Sequence, residues 1–285
     1  MKIAISAEST CDLTKALIKE FDIKIIPFNV ILGDKEAHDG EITPQDLFDY
    51  VEKTNKLPHT SAINVFEYSE HFKKLLEDHD VVIHFALSSK ISVTSANAMT
   101  AAEEFKGKVF VIDTLSLSTG IALQAIYGRK LANAGKSPEE IVKAVKERIP
   151  FDQTSFSLES VNYLYKGGRC SMLSMIGANV LRLKPDILML EGSMKPGQKR
   201  RGPMKKVCVE YAEEMLAQFP NVDPELVFIT YSSAEDDVIA AVKEVLVKKG
   251  FKRIETTSAG ATITTYCGPH CLGILYMNDG PHPVE

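Results

Sequence analysis

The chain is 285 residues long, enough for two domains with a core each, and its 45% apolar and 25% charged residues are ordinary for a globular protein. A net charge of −5 argues against nucleic acid as the main partner, because neutralising phosphates needs a basic face. No apolar run approaches the roughly 20 residues of a membrane span, the N-terminus turns polar too soon for a signal peptide, and five cysteines make no disulfide framework. A cytoplasmic protein is the expectation.

Residues 2–6 read as a short strand ending at Glu8-Ser9-Thr10-Cys11-Asp12, where Thr10 or Asp12 can cap a helix over 13–21. The strongly β-branched run 23–32 reads as one second strand. Thr43-Pro44 opens the next helix, with proline in its first turn. Pro58-His59-Thr60-Ser61-Ala62 reads as a connecting loop before a helix over 65–76. The runs 81–87 and 109–112 have the length and composition of buried strands. Each is followed by a Ser/Thr-rich turn and a helix, and such alternation predicts a parallel sheet with helices on both faces. Ser137-Pro138-Glu139-Glu140 is a capping box for a helix reaching Arg148. Ile149-Pro150 closes that helix, which places the domain boundary between 1–150 and 151–285.

The second half is more mixed. A strand near 154–158 and helical turns to Lys166 lead to Gly167-Gly168-Arg169. A strand at 187–190 follows, then the basic stretch 195–206, read as a solvated loop. Helices over 205–219 and 234–249 alternate with strands at 227–232, 253–257, 261–266 and 272–277.

The stretch 87–98, LSSKISVTSANA, has the build of an anion site. A strand runs into a turn rich in hydroxyls, and the helix start adds unpaired N–H groups with partial positive charge. On local chemistry alone the same residues read first as a plain helix cap, with Ser92 or Thr94 as the capping side chain. In parallel sheets ligands sit at the carboxyl ends of the strands. The turns at 8–10, 88–94 and 114–119 would crowd that edge, which favours the anion site.

Other chemistries lack their residues. There is no phosphate-cradling GxxxxGK[ST], no GxSxG elbow and no dinucleotide GxGxxG. Cys267, His270 and Cys271 are close in sequence, but a structural zinc needs four ligands and no second cluster exists. No metal or cofactor is expected. Cys11, Cys170 and Cys208 read as packed small apolar residues. Gly167-Gly168 reads either as a helix C-cap or as a device presenting Arg169 to an anion.

In order and spacing these motifs resemble the DegV family of fatty-acid-binding proteins, nearly end to end. The anchors are EST-x-DL at 8–13, Thr60-Ser61, SSKISVTSANA at 88–98, VIDTLSLSTG at 111–120, YLYKGGR at 163–169, LKPDILMLEG at 183–192 and GPHCLG at 268–273. The resemblance implies a two-domain α/β protein, a parallel-sheet N-terminal domain and a mixed-sheet C-terminal domain. A long-chain fatty acid would lie between them, carboxylate inward, and the protein would be a lipid-binding carrier rather than an enzyme. Thr60 and Ser92 match the family positions that hold the carboxylate, with Ser61, Ser89, Lys90, Thr94 and Ser118 adjacent to the ligand.

The family's bacterial partner is a fatty acid kinase, which makes an acyl phosphate of the bound acid. Arg169 matches an arginine on the phosphotransfer side, and Tyr266 and His270 are grouped with it as kinase-facing. The chain also departs from the family pattern. Glu8 replaces an aspartate, Ala62-Ile63-Asn64 replaces Gln-Pro-Ser, and Lys90 and Val93 replace glycines. Tyr266 replaces a histidine, and a histidine appears four residues on at His270. With 261–266 read as strand, those four residues span about 13 Å, so the expectation is good lipid binding and poor support of a kinase. Two other classes stay open: a small-anion enzyme at the same cleft, or a lipid-responsive regulator docking through 195–206.

Overall fold

The computed structural model describes residues 1–169, 183–282 and 284; Cys170 lies outside them. The chain opens on β1 (Ile3–Glu8), buried at every position, and α1 (Lys15–Glu20). Thr14, rather than Thr10 or Asp12, caps α1 by accepting the Leu17 N–H. The run 23–32 is two strands in different sheets, β2 (Ile23–Ile26) and β3 (Asn29–Leu32). Pro27 separates them, since it has no N–H to continue a ladder. β4 (Lys35–His38) and α2 (Pro44–Thr54) follow, α2 starting with a Thr43/Asp46 capping box. The expected loop at 58–62 contains β5 (His59–Ser61), which pairs with β3 in a three-stranded antiparallel sheet ordered β4-β3-β5.

α3 (Val65–Leu75), β6 (Val81–Ala86), α4 (Thr94–Ala102) and β7 (Val109–Asp113) complete a four-stranded parallel sheet ordered β2-β1-β6-β7. This is the sheet that strand–turn–helix alternation predicts. α5 (Thr119–Asn133) and α6 (Pro138–Arg148) close the first half, the latter with the expected Ser137/Glu140 box.

The second half contributes β8 (Asp152–Ser157), α7 (Asn162–Lys166), β9 (Lys184–Leu190), β10 (Ser193–Arg200), α8 (Met204–Gln218), β11 (Val227–Tyr231), α9 (Asp236–Lys249), β12 (Ile254–Ser258), α10 (Ala261–Cys267) and β13 (Leu272–Met277). Its six-stranded mixed sheet runs β10-β9-β8-β13-β11-β12. Two expectations fail here. The basic stretch 195–206 is not a solvated loop: its first part is the edge strand β10, where Pro196 is tolerated beside a register shift. Arg200 at its end is drawn inward by Asp186 and Glu214, at 2.8 and 2.7 Å. The second failure is 261–266, which is the helix α10 rather than a strand. Its β-branched residues favour a strand locally, but tertiary capping decides otherwise.

The six-stranded sheet divides the core. Leu272, Ile274 and Tyr276 face α8 and α9, packing with Tyr211, Val242 and Leu246. On the opposite face Phe156, Ile187 and Leu275 join one apolar cluster with Ile5, Phe85 and Ile121 of the N-terminal domain. The two-residue alternation along β13 thus gives one face to its own helices and the other to the neighbouring domain.

Candidate functional site

The seam between the domains is stitched by hydroxyls. Ser116 meets Thr154 at 3.0 Å, and Thr119 meets Thr230 at 2.7 Å. Gly120, in the first turn of α5, presses on the same cluster: a Cβ there would lie 2.1 Å from Ser116 Oγ and 2.2 Å from Thr154 Oγ1. Asp152 accepts from Thr154 at 2.7 Å and from Gln124 at 2.8 Å, and burial holds its carboxyl above the usual range. Further along, Ser88 Oγ donates to Gly192 O at 2.7 Å. That carbonyl belongs to the β9–β10 turn, where Glu191 and Gly192 have φ of 52° and 80°.

These contacts border a cleft that opens to solvent and encloses about 90 Å³. Phe28, Leu87, Leu117, Phe156, Leu164 and Leu275 give it an apolar wall. Thr60, Ser92, Ser118, Tyr266 and Arg169 supply polar groups.

The placement of α10 decides the polar part. Its first N–H groups meet two carboxylates of the N-terminal domain. Gly260 N–H donates to Asp12 Oδ1 at 2.7 Å and Ala261 N–H to Asp39 Oδ1 at 2.8 Å. Carboxyl oxygens at a helix start satisfy its unpaired donors. Burial nevertheless pushes the Asp12 carboxyl up to about 8, against the lowering effect of the Ser118 hydroxyl and the Gly260 amide. At the other end of α10, Thr265 Oγ1 donates back to Ala261 O at 2.9 Å, so a β-branched hydroxyl serves the helix.

Thus anchored, α10 carries the Tyr266 hydroxyl to within 2.7 Å of Thr60 Oγ1 on β5. The chain around 167–169 wraps the same ring. The Arg169 guanidinium sits 4.6 Å from its centroid, a cation–π distance. A Cβ on Gly167 would lie 2.7 Å from Tyr266 Cδ1, so the glycine permits the close approach. Gly168 supplies the left-handed φ of 70°. The Gly-Gly pair therefore fits Arg169 and Tyr266 together as well as ending α7.

Of the residues singled out from the sequence, Thr60, Ser92, Ser118, Arg169 and Tyr266 line the cleft. Ser61, Ser89 and Lys90 are exposed and lie off its wall. Thr94 is buried elsewhere: its Oγ1 donates to Glu8 Oε1 at 3.1 Å and meets the Tyr68 hydroxyl at 2.7 Å. Glu8 also accepts from Leu87 N–H at 2.8 Å and from Thr10 Oγ1 at 3.2 Å, besides a short bond from Tyr68. This buried carboxylate fixes the start of the 87–94 turn from beneath, while Ser92 accepts the Thr94 N–H at 3.3 Å. The N-cap position of α4 is Val93, with no capping side-chain bond, so the cap expected of Ser92 or Thr94 does not form, and the turn instead carries Ser92 to the cleft wall.

His270 is half exposed and off the cleft wall, with its imidazole 3.9 Å from Glu159 and its N–H on Ser233 Oγ at 3.0 Å. The sequence reading missed the Thr60–Tyr266 bond, because a loop and a strand were expected where β5 and α10 stand. The one signal for it was that Tyr266 occupies a matched family position. Among the described residues, no group of three or more His, Cys, Asp and Glu could hold a metal, and no helix is long and apolar enough to cross a membrane.

A family model described as "Uncharacterised protein, DegV family" matches residues 2–279. The chain belongs to the DegV family. This DegV chain is 30% identical over 278 residues to a DegV domain-containing protein of Caldanaerobacter subterraneus subsp. tengcongensis, covering 96% of this chain and 98% of that one. A Thermotoga maritima protein named fatty acid-binding protein is 29% identical over 283 residues, 96% of each. Among solved structures, a fatty-acid-binding DegV family protein from Thermus thermophilus superposes with a TM-score of 0.90 at 27% identity, covering 97% of this chain and 100% of that one. DegV of Bacillus subtilis, a fatty acid binding protein, does so with a TM-score of 0.85 at 25% identity, covering 98% and 99%.

Proposed function

We propose that this DegV protein is a cytoplasmic carrier that binds a long-chain fatty acid in the cleft between its two domains, the boundary falling near residue 150. The observation that carries this reading is the cleft itself, its exposed wall mostly apolar, with Thr60, Ser92 and Tyr266 among the polar groups that line it. Burying about 14 methylenes is worth up to roughly 11 kcal/mol, at about 0.8 per CH₂. The acyl chain supplies affinity, and the head group sets direction. A carboxylate in such a place needs several donors to stay. The hydroxyls of Thr60 and Ser92 are assigned that role, with Tyr266 supporting Thr60. No cofactor enters this reading.

The test is calorimetric titration of delipidated protein with oleic acid and with its methyl ester. The expected result is one-to-one binding of the acid with a negative heat-capacity change, and weaker binding of the ester. No heat with either ligand, over a concentration range reaching millimolar, would overturn the reading.

The finer reading is presentation of the head group to a fatty acid kinase. Arg169 favours it, being an exposed cation on the cleft wall; phosphoryl transfer to a carboxylate needs nearby positive charge. Tyr266 brings none, and the imidazole of His270 is turned toward Glu159. Weak acyl-phosphate formation with the kinase of the same cell is expected, lost in Arg169→Ala and unchanged in His270→Gly. Formation that persists in Arg169→Ala would overturn the assignment of Arg169.

A further inference from the structure

Helical spacing sets the face that α10 turns to the cleft. Thr262, Ile263 and Tyr266 line it, and residues four apart on a helix lie over one another on one side. Tyr266 gives its hydroxyl to Thr60. Thr262, one turn earlier on the same side, is only 3% exposed, and its Oγ1 has no hydrogen-bond partner among the described residues.

The other threonines of α10 behave differently. A helix threonine can satisfy its hydroxyl on a carbonyl of the preceding turn. Thr265 does so on Ala261 O at 2.9 Å, and Thr264 on Ala259 O at 3.4 Å. Four positions before Thr262 stands Ser258, still in β12, so no helical carbonyl lies behind the Thr262 hydroxyl. Elsewhere on the cleft wall, Ser118 donates to Asp12, and Thr230 bonds Thr119 and Thr257. A buried hydroxyl without a partner is destabilising. A plain acyl chain would leave it so, and a ligand carrying an oxygen at that point would not.

We propose that Thr262 is a second polar contact for the ligand, and that the cleft selects long-chain acids hydroxylated a few carbons from the carboxyl. The inference rests on the lipid-binding reading. Its position follows from α10. Tyr266 marks the head-group end through Thr60, and Thr262 lies about 6 Å from it along the helix axis, four residues at about 1.5 Å each. That span keeps the second contact close to the head group, away from the middle and end of the chain. A threonine hydroxyl both donates and accepts, so it can pair with a chain hydroxyl while the methylenes keep to Ile263 and Leu275. A site with a polar group built into it favours the ligand that can pair with that group.

The experiment displaces bound parinaric acid, a fluorescent fatty acid, from the delipidated full-length chain. The competitors are octadecanoic acid and its 3-, 5- and 12-hydroxy derivatives, on wild type, Thr262→Val and Thr262→Ser, with urea unfolding of each protein. The readout is the affinity of each hydroxy acid relative to octadecanoic acid. Comparing that ratio between proteins cancels the cost of taking the chain hydroxyl out of water. For the 3- or the 5-hydroxy acid the ratio should fall at least about fivefold in Thr262→Val, the penalty for leaving a buried hydroxyl unpaired. It should hold in Thr262→Ser, and the 12-hydroxy ratio should be the same in all three proteins. Thr262→Val keeps the shape of the side chain, so it should bind octadecanoic acid at least as tightly as wild type and unfold at no lower urea concentration. Ratios for the 3- and 5-hydroxy acids that are both unchanged in Thr262→Val would overturn the second contact and leave the lipid reading standing. An equal fall for the 12-hydroxy acid would overturn its placement near the head group. A lower unfolding midpoint in Thr262→Val would assign the hydroxyl to the fold instead of the ligand. Failure to bind parinaric acid and all four competitors would overturn the lipid reading and this inference with it.

Discussion

Thr60 and Tyr266, 206 residues apart in the chain, share a 2.7 Å hydrogen bond across the cleft. The bond ties the edge strand of the small antiparallel sheet to the last turn of α10. It leaves the Thr60 hydroxyl able to accept from the phenol while donating to a ligand. Thr60→Val is expected to weaken fatty-acid binding by about 1.5–3 kcal/mol, the range for hydrogen bonds to a charged group. Tyr266→Phe should cost less, and the double variant should fall short of the sum, because the two groups act through one another. Calorimetry on the three variants checks this; full additivity would separate the two hydroxyls.

Ser92 and Thr94 lie in one turn but face different partners, and substitution should separate them. Ser92→Ala should lower affinity by about 1.5–3 kcal/mol with little change in unfolding. Thr94→Val takes a donor from the buried Glu8 carboxylate. It should lower folding stability by about 1–3 kcal/mol and disturb affinity much less. Urea unfolding beside calorimetry reads both, and the opposite pattern would place Thr94 at the ligand.

Gly120 is a packing prediction. An alanine methyl would land about where Ser116 Oγ and Thr154 Oγ1 already are. Gly120→Ala should destabilise by at least about 1–3 kcal/mol, as overpacking does. Denaturant unfolding at neutral pH measures it. An unchanged midpoint would mean the domain seam yields easily.

Asp12 makes stability depend on pH. Its native carboxyl, up at about 8, keeps a proton that the unfolded chain, near 3.8, has lost. Native protein therefore binds more protons in that window, and this contribution is fully present below about pH 4 and lost as pH rises through 8. His71 acts oppositely at lower pH, because burial holds its imidazole down to about 3. Its contribution is lost as pH falls from the ordinary 6.5 toward 3. The clean comparison is wild type against Asp12→Asn between about pH 6.5 and 8.5, a window set by linkage. Wild type should lose stability relative to the variant across it; parallel curves would show that Asp12 is ionised in the native state at neutral pH.

The parallel sheet was legible because apolar runs such as 81–87 are long, β-branched and followed by turn and helix. The helix start at Thr43-Pro44 and the capping box at Ser137 were legible for the same local reason. What the sequence hid was decided by distant partners. The 23–32 run looks continuous, and only Pro27 marks where it passes from one sheet to another. Ala261-Thr262-Ile263-Thr264-Thr265-Tyr266 has strand propensity, but Asp12 and Asp39, more than 200 positions away in the chain, cap it as a helix. The basic stretch from Lys195 reads as solvated until Asp186 and Glu214 are seen holding Arg200. At the site, Thr60 and Ser92 were found through motif resemblance. The link between Thr60 and Tyr266 required β5 and α10 to exist.

Denaturing extraction of protein purified from cells, followed by mass spectrometry of what is released, tests the central claim most directly. The account predicts a long-chain fatty acid at close to one per chain, reduced in Thr60→Val and Ser92→Ala preparations. An extract without fatty acid, from protein that after delipidation also fails to take up added fatty acid, would contradict it.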